Sequence, residues 1–281
     1  MREREPVWFI TGSSSGLGLA LARAVLERGW RAVLAARGRD AAAELARRYP
    51  ETAMVVRLDV TDAASVERAV AEVEARLARI DVLVNAAGYG YLAAIEEGEE
   101  DAVRAQFETN VFGLVAVVKR VLPGMRARRS GHVVNFSSLG GLVAFAATGY
   151  YHASKFAVEA LSESLWHEVA PLGIAVTIVE PGAFRTDWAG RSMIESAVVI
   201  DDYAATAGKR RAATRAASGR QPGDPVRAAA AIIAAVEAEE PPLRLLLGKA
   251  AFGVAMQRLD ALRAGFELWR DTTEGADYPA D

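Results

Sequence analysis

Val7-Trp8-Phe9-Ile10-Thr11-Gly12-Ser13-Ser14-Ser15-Gly16-Leu17-Gly18 begins as an apolar run, crosses a turn punctuated by glycines, and enters a helical pattern through Leu17, Leu21, Val25 and Leu26 that ends at Gly29. This is strand, loop, helix. Outward from it the alternation repeats: Arg31 to Ala36, Ala53 to Leu58, Asp81 to Val84 and His132 to Phe136 read as strands, and Ala41 to Arg48 and Ala64 to Leu77 as helices. The strands are almost wholly apolar rather than alternating, as expected where helices cover both faces of a parallel sheet. Repeated βαβ units predict an α/β fold built on a doubly wound parallel sheet of Rossmann type.

The alternation continues past the midpoint. Tyr151 to Val169 reads as a helix stopped by Pro171, Ile174 to Val179 as a strand closed by Pro181 and Gly182, and Leu243 to Leu247 as a last strand. Between Thr186 and Gly223 the periodicity dissolves, and Asp224 with Pro225 then supplies an N-cap and first-turn proline for a helix to about Glu239. The expectation is one dinucleotide-binding domain over residues 1–281, with a substrate lid at about 187–223 and a C-terminal helical extension at about 250–270. Ala251 to Trp269 reads as an amphipathic helix with Trp269 on its packed stripe.

Composition narrows the chemistry. The 281 residues are 52% apolar, enough to fill a sizeable core, and 33 basic against 36 acidic residues leave a net charge of -3. No basic excess advertises nucleic acid or an anionic membrane, so a small molecule is the expected partner. The absence of cysteine excludes disulfides, Cys-based zinc sites and a thiol nucleophile, and the three His show no ligand spacing, so no metal is expected. The first apolar run is too short for a secretory signal, and no stretch approaches a membrane span, which predicts a cytoplasmic chain. The Lys209-Arg210-Arg211 cluster reads as a solvated face.

Thr11 to Gly18 lies where a pyrophosphate can meet backbone N–H groups and the positive end of the first helix. The end of the second strand then selects the adenosine ribose, because a carboxylate there pairs with a free 2′-hydroxyl whereas a basic residue accommodates a 2′-phosphate. This strand ends Ala35-Ala36-Arg37, and Arg37, helped by Arg39, is a charge-assisted partner for the phosphate. The expected cofactor is therefore NADP, with NAD remaining possible.

Tyr151-His152-Ala153-Ser154-Lys155 sets a phenol and an ammonium four residues apart, hence on one face of a helix. A free Tyr has a pKa of about 10, too high for proton exchange near neutrality, and an adjacent ammonium lowers it. Together the motifs resemble the short-chain dehydrogenase/reductase family in its compact single-domain form, along most of the chain. The resemblance rests on Thr11-Gly12-x-x-x-Gly16-x-Gly18, Asp59-Val60, Asn85-Ala86-Ala87-Gly88 and Asn110. It continues with Ser138 thirteen residues before Tyr151, with Lys155, and with Pro181-Gly182-x-x-x-Thr186.

That resemblance implies a role for each residue. Ser138 would polarise a carbonyl, Tyr151 would donate the proton, Lys155 would lower the Tyr151 pKa and bind the nicotinamide ribose, and Asn110 would hold a relay water. Gly12, Ser14, Gly16 and Leu17 would form the phosphate loop, and Asp59 with Val60 the adenine site. Asn85, Ala86 and Gly88 would pass along the ribose, and Pro181, Gly182 and Thr186 would contact the nicotinamide end. Ala86 departs from the family, many of whose members carry a second Asn there, but the contact is usually with backbone.

The implied activity is interconversion of a carbonyl and an alcohol. Leu139, Phe145, Tyr89, Tyr91, Phe184, Trp188 and Met193 are expected to line a pocket for a mostly apolar ketone or aldehyde. A non-catalytic NADP-sensing regulator on the same fold is the alternative. Such relatives usually lose the Tyr or Lys, and here Asn110, Ser138, Tyr151 and Lys155 are all present. The resemblance leaves a dimer or tetramer open.

Overall fold

A computed structural model describes residues 5–38, 40–186 and 192–278. Strands β1 (Val7–Thr11), β2 (Arg31–Ala36) and β3 (Ala53–Arg57) alternate with helices α1 (Gly16–Glu27), α2 (Asp40–Arg48) and α3 (Ala63–Leu77). After β4 (Val82–Asn85) the chain forms a short strand β5 (Gly90–Leu92), then α4 (Glu100–Phe107), a π-helical turn at Glu108–Gly113, and α5 (Leu114–Arg128). The sheet resumes with β6 (Gly131–Phe136), followed by α6 (Gly149–Val169) and β7 (Ile174–Pro181). The C-terminal part comprises β8 (Met193–Glu195), α7 (Lys209–Ala216), α8 (Pro225–Glu237), β9 (Arg244–Leu247), α9 (Lys249–Leu268) and α10 (Arg270–Glu274).

Seven strands make one parallel sheet in the order β3-β2-β1-β4-β6-β7-β9. Chain direction across the sheet reverses between β1 and β4, and such a switch point opens a crevice at the carboxyl ends of the strands. The alternation of side chains along β1 divides the core. Val7 and Phe9 join a cluster with Val66 and Val70 of α3, Val117 and Val121 of α5 and Val158 of α6. Trp8 and Ile10 point the other way, to Leu21 and Val25 of α1 and Ile232 and Ile233 of α8. Both faces of every central strand are thus buried, and each large side chain so placed contributes roughly 1.5–3 kcal/mol. A buried polar chain crosses the sheet: the Asn85 amide donates to Asn135 Oδ1 at 2.9 Å, and Asn135 donates to Ser162 Oγ at 2.9 Å.

The stretch before β9 differs from its sequence reading. Residues 192–223 are not irregular: β8 pairs with β5 in parallel, and α7 is a regular helix. No apolar stripe announces α7, because an ion pair anchors it. Arg211 is buried, and its Nη2 donates to Glu97 Oε2 at 2.5 Å, so Lys209-Arg210-Arg211 is not the uniformly solvated face expected. Burial works to raise the Glu97 pKa, but the N–H groups of Ile200 and Ala94 and the Arg211 guanidinium together hold its carboxyl below the usual range.

The last helix also departs from expectation. Only Ala251 and Ala255 of α9 are buried, while Phe252, Leu259 and Phe266 are exposed and Trp269 is 63% exposed rather than packed. Among the described residues no helix is long and apolar enough to cross a membrane.

The Glu97–Arg211 pair is the buried contact that anchors α7. Removing the charge of one partner leaves the other uncompensated, so Glu97→Gln should lower the unfolding free energy by about 3–5 kcal/mol in urea denaturation.

Candidate active site

A cleft of about 1410 Å³ opens at the switch point, walled by the carboxyl ends of β1, β4, β6 and β7 and by residues of α7 and α9. Its shape depends on close backbone packing. Gly12 has φ +67°, and a Cβ there would lie 2.7 Å from the Ala87 nitrogen; a Cβ on Gly18 would lie 2.6 Å from the Gly12 carbonyl oxygen. Both positions therefore exclude any side chain, and α1 leans directly on the turn that precedes it. The Thr11 hydroxyl accepts from the N–H groups of Ala86 and Ala87 at 3.1 Å each, tying the ends of β1 and β4 together.

Ser15, at the N-cap of α1, makes no side-chain capping bond, so the first turn of a twelve-residue helix lies at the cleft wall without a side-chain acceptor. That is a donor set suited to a pyrophosphate. Arg37 is exposed at the cleft edge and has no carboxylate partner among the described residues, while Asp59 lies across from it. The Thr61 hydroxyl and N–H hold the Asp59 carboxyl below its ordinary pKa, with Arg37 and Arg57 adding to the effect.

At the other end stand Ser138, Tyr151 and Lys155. Ser138 follows β6 in extended backbone, its Oγ accepting from the Gly140 N–H at 3.0 Å and sharing a hydrogen bond with Tyr151. Tyr151 and Lys155 lie one turn apart on α6, both buried, with Lys155 Nζ 5.8 Å from the Tyr151 ring centroid and donating to the Phe136 carbonyl at 2.8 Å.

Burial decides the titration of this pair. It pushes the Tyr151 phenol up to about 12, against the Ser138 hydrogen bond, and brings Lys155 down to about 8, with Glu159 opposing. Desolvation thus dominates at the Tyr151 phenol, and the Lys155 ammonium is directed at a backbone carbonyl.

Gly12, Ser14, Gly16, Leu17, Arg37, Asp59, Val60, Ala86, Gly88, Pro181, Gly182 and Thr186 all line the cleft, as do Ser138, Tyr151 and Lys155. Two residues do not. The Asn85 side chain points beneath the floor to Asn135. Asn110 sits behind the wall in the π-helical turn, donating to the Tyr89 carbonyl at 2.9 Å and to Ser154 Oγ at 3.1 Å, and accepting from the Tyr89 N–H at 3.0 Å. Gly88 keeps a gap open beside it, since a Cβ there would lie 3.1 Å from Asn110 Oδ1 and 3.7 Å from Lys155 Nζ.

Of the expected pocket residues, Tyr89, Leu139, Phe145, Phe184 and Met193 line the cleft. Tyr91 does not: it is 1% exposed, and its hydroxyl donates to Glu99 and accepts from the Glu99 N–H, which holds the ring out of the cavity. Trp188 and Arg39 lie outside the described residues. Sequence reasoning passed over His152 and Arg210, which also line the cavity. The position of His152 beside Tyr151 was the available signal. It is buried and brought down to about 4 by desolvation, with Arg210 adding to the effect, and its Nδ1 accepts from the Phe145 N–H at 3.1 Å.

Comparison with known proteins is consistent across the chain. The pattern of the short chain dehydrogenase family matches residues 6–195. Oxidoreductase BOA17 of Botryotinia fuckeliana is 41% identical over 266 residues, covering 94% of this chain and 97% of the relative. The crystal structure of a short-chain dehydrogenase from Streptomyces avermitilis superposes with a TM-score of 0.93 at 43% identity, covering 98% of this chain and 100% of that one. A gluconate 5-dehydrogenase from Burkholderia cenocepacia, solved with NADP and tartrate, superposes with a TM-score of 0.73 at 29% identity, covering 90% and 97%.

The burial of Tyr151 has a direct spectroscopic consequence. Between about pH 7 and 10 the ultraviolet phenolate signal of the ligand-free protein should be the same for wild type and Tyr151→Phe, because Tyr151 stays protonated there. A Tyr151-dependent signal in that range would show that Lys155 already overrides burial.

Proposed function

The chain belongs to the short-chain dehydrogenase family and is an oxidoreductase, and from that premise we propose that it interconverts a carbonyl and an alcohol, reducing a mostly apolar ketone or aldehyde with NADPH. The observation that carries this reading is the Ser138–Tyr151–Lys155 cluster at one end of a cleft whose other end is the uncapped N-terminus of α1. When bound, the nicotinamide supplies or accepts the hydride.

The residues of the chain handle the oxygen and its proton. Ser138 Oγ donates a hydrogen bond to the carbonyl oxygen, polarising it and setting its orientation. Tyr151 Oη gives up its proton to that oxygen as negative charge builds there, and in the reverse direction takes it from the alcohol. Lys155 stabilises the resulting phenolate and binds the ribose hydroxyls. Asn110, next to the gap kept by Gly88, lies on the route by which Lys155 exchanges protons with solvent. Tyr89, Leu139, Phe145, Phe184 and Met193 supply apolar walls that keep water from the reacting atoms.

At the cofactor end Gly12, Ser14, Gly16 and Leu17 receive the pyrophosphate, Asp59 and Val60 the adenine, and Pro181, Gly182 and Thr186 the nicotinamide side. The Arg37 guanidinium supports NADP over NAD, because it meets a 2′-phosphate where a carboxylate would repel one. The solved relative carrying NADP is consistent with that assignment.

Two measurements test the reading. NADPH consumption, followed by absorbance against ketones and aldehydes, should fall roughly 100- to 10,000-fold in Tyr151→Phe with the NADPH affinity retained. Arg37→Asp should reverse the preference for NADPH over NADH, and equal affinities of the wild type for the two cofactors would remove the assignment of Arg37.

A further inference from the structure

The substrate end of the cleft carries a charge that carbonyl reduction does not require. Arg210, Ala213, Thr214 and Ala217 follow one another at i, i+3, i+4 and i+7, and all four line the cavity, so one face of α7 and the turn after it forms a wall. Three members of that face are small. The fourth is a guanidinium.

Arg210 is held in place from two sides. Its neighbour Arg211, about 100° further round the helix, is locked to Glu97 in the protein interior, which fixes the rotation of α7. The Arg210 guanidinium itself lies 4.7 Å from the centroid of the Phe145 ring, and Phe145 in turn packs edge-on against His152, next to Tyr151. A cation over an aromatic face keeps its in-plane N–H donors free.

No carboxylate among the described residues answers this charge. Among the described residues Arg210 forms no ion pair, and the acidic residues lining the cleft are Asp59, next to Val60, and Glu108, which opens the π-helical turn whose Gly113 packs against Val60. His152, the other titratable group against Phe145, is held neutral by burial and supplies no negative charge.

We propose that Arg210 is a specificity-determining residue that binds an anionic group on the substrate, so that the preferred substrate is a carbonyl compound with an apolar body and a carboxylate or similar anion at its far end. The inference rests on the carbonyl-reductase reading for the reaction, and on the geometry of α7 for the anion. The apolar walls take the body, Ser138 and Tyr151 the carbonyl, and Arg210 the charge through a charge-assisted hydrogen bond.

The test uses the full chain saturated with NADP and three keto acids, levulinate, para-acetylbenzoate and a ketostearate, each against its own primary amide, with binding read by calorimetry. At least one acid should bind about tenfold tighter than its amide, a preference that fades with added salt, shrinks to about one in Arg210→Gln and returns in part in Arg210→Lys. Equal binding of acid and amide throughout the series, or a preference that survives in Arg210→Gln, overturns the proposal. So does a loss of NADP affinity in Arg210→Gln with the acid preference unchanged, which would assign the residue to the cofactor.

Turnover of the same six compounds with NADPH separates the two readings. Turnover without a charge preference removes the role of Arg210 alone. An acid preference in binding with no turnover of any carbonyl removes the reductase reading and leaves the anion site standing.

Discussion

The cleft exists because two stretches of backbone touch where no side chain could fit. Gly18, on the first turn of α1, sits against the Gly12 carbonyl, and Gly12 in its left-handed conformation sits against Ala86 and Ala87. The Thr11 hydroxyl then bonds both amides of that neighbouring loop. One compact junction therefore fixes the start of α1, the end of β1 and the end of β4 together. Every other cleft element is placed relative to it: β6 brings Ser138 alongside β4, and α6 crosses behind with Tyr151 and Lys155. A Cβ at Gly18 would push α1 off the turn and one at Gly12 would push the turn off the loop after β4, so the two ends of the cleft share one mechanical origin.

Burial does two opposite things at the catalytic end. It makes the phenolate of Tyr151 costly, and it makes Lys155 hold its proton less firmly, because the ammonium is also desolvated. The pair is thus biased toward a neutral phenol beside an ammonium that gives up its proton more readily than a free lysine. The Phe136 carbonyl takes up the Lys155 proton donor in the meantime. In the proposed reaction a bound cofactor and substrate displace water and offer new hydrogen bonds, and these, rather than the fixed protein charges, would bring the phenol into range. That geometry keeps the proton on the group proposed to donate it.

Much of this was legible in the sequence, for identifiable reasons. The central strands carry continuous apolar runs, and their alternation with helices forces a parallel, doubly wound sheet. The glycines mark the one turn where backbone approach is required, and the Tyr151 to Lys155 spacing places two groups on one helical face regardless of the fold around them. What escaped has physical reasons too. Helix α7 hides because its anchor is an ion pair between residues 114 positions apart. Helix α5 contains Pro123, and the π-helical turn before it interrupts the periodicity that would have announced it. Tyr91 was misplaced because an apolar-looking residue beside the motif loop found a buried hydrogen-bond partner, Glu99, that no spacing rule connects to it.

The two ends of the cleft are built on different physics. The end at the start of α1 is made of backbone: glycines, a helix start and strand ends, whose positions follow from the sheet itself. The other end is made largely of side chains, some of them on residues 192–223, which are held through Glu97, Ser196 and the short β5–β8 pair. A buried ion pair adds little net stability compared with an apolar contact of the same size, since desolvation of both charges offsets their attraction. It is nevertheless strict about geometry, because a rotated α7 would leave Arg211 and Glu97 each alone in the interior. That strictness is what a specificity wall needs: the pair fixes which face of α7 looks into the cavity, and the residues on that face can then differ in size and charge without disturbing the junction at Gly12 and Gly18.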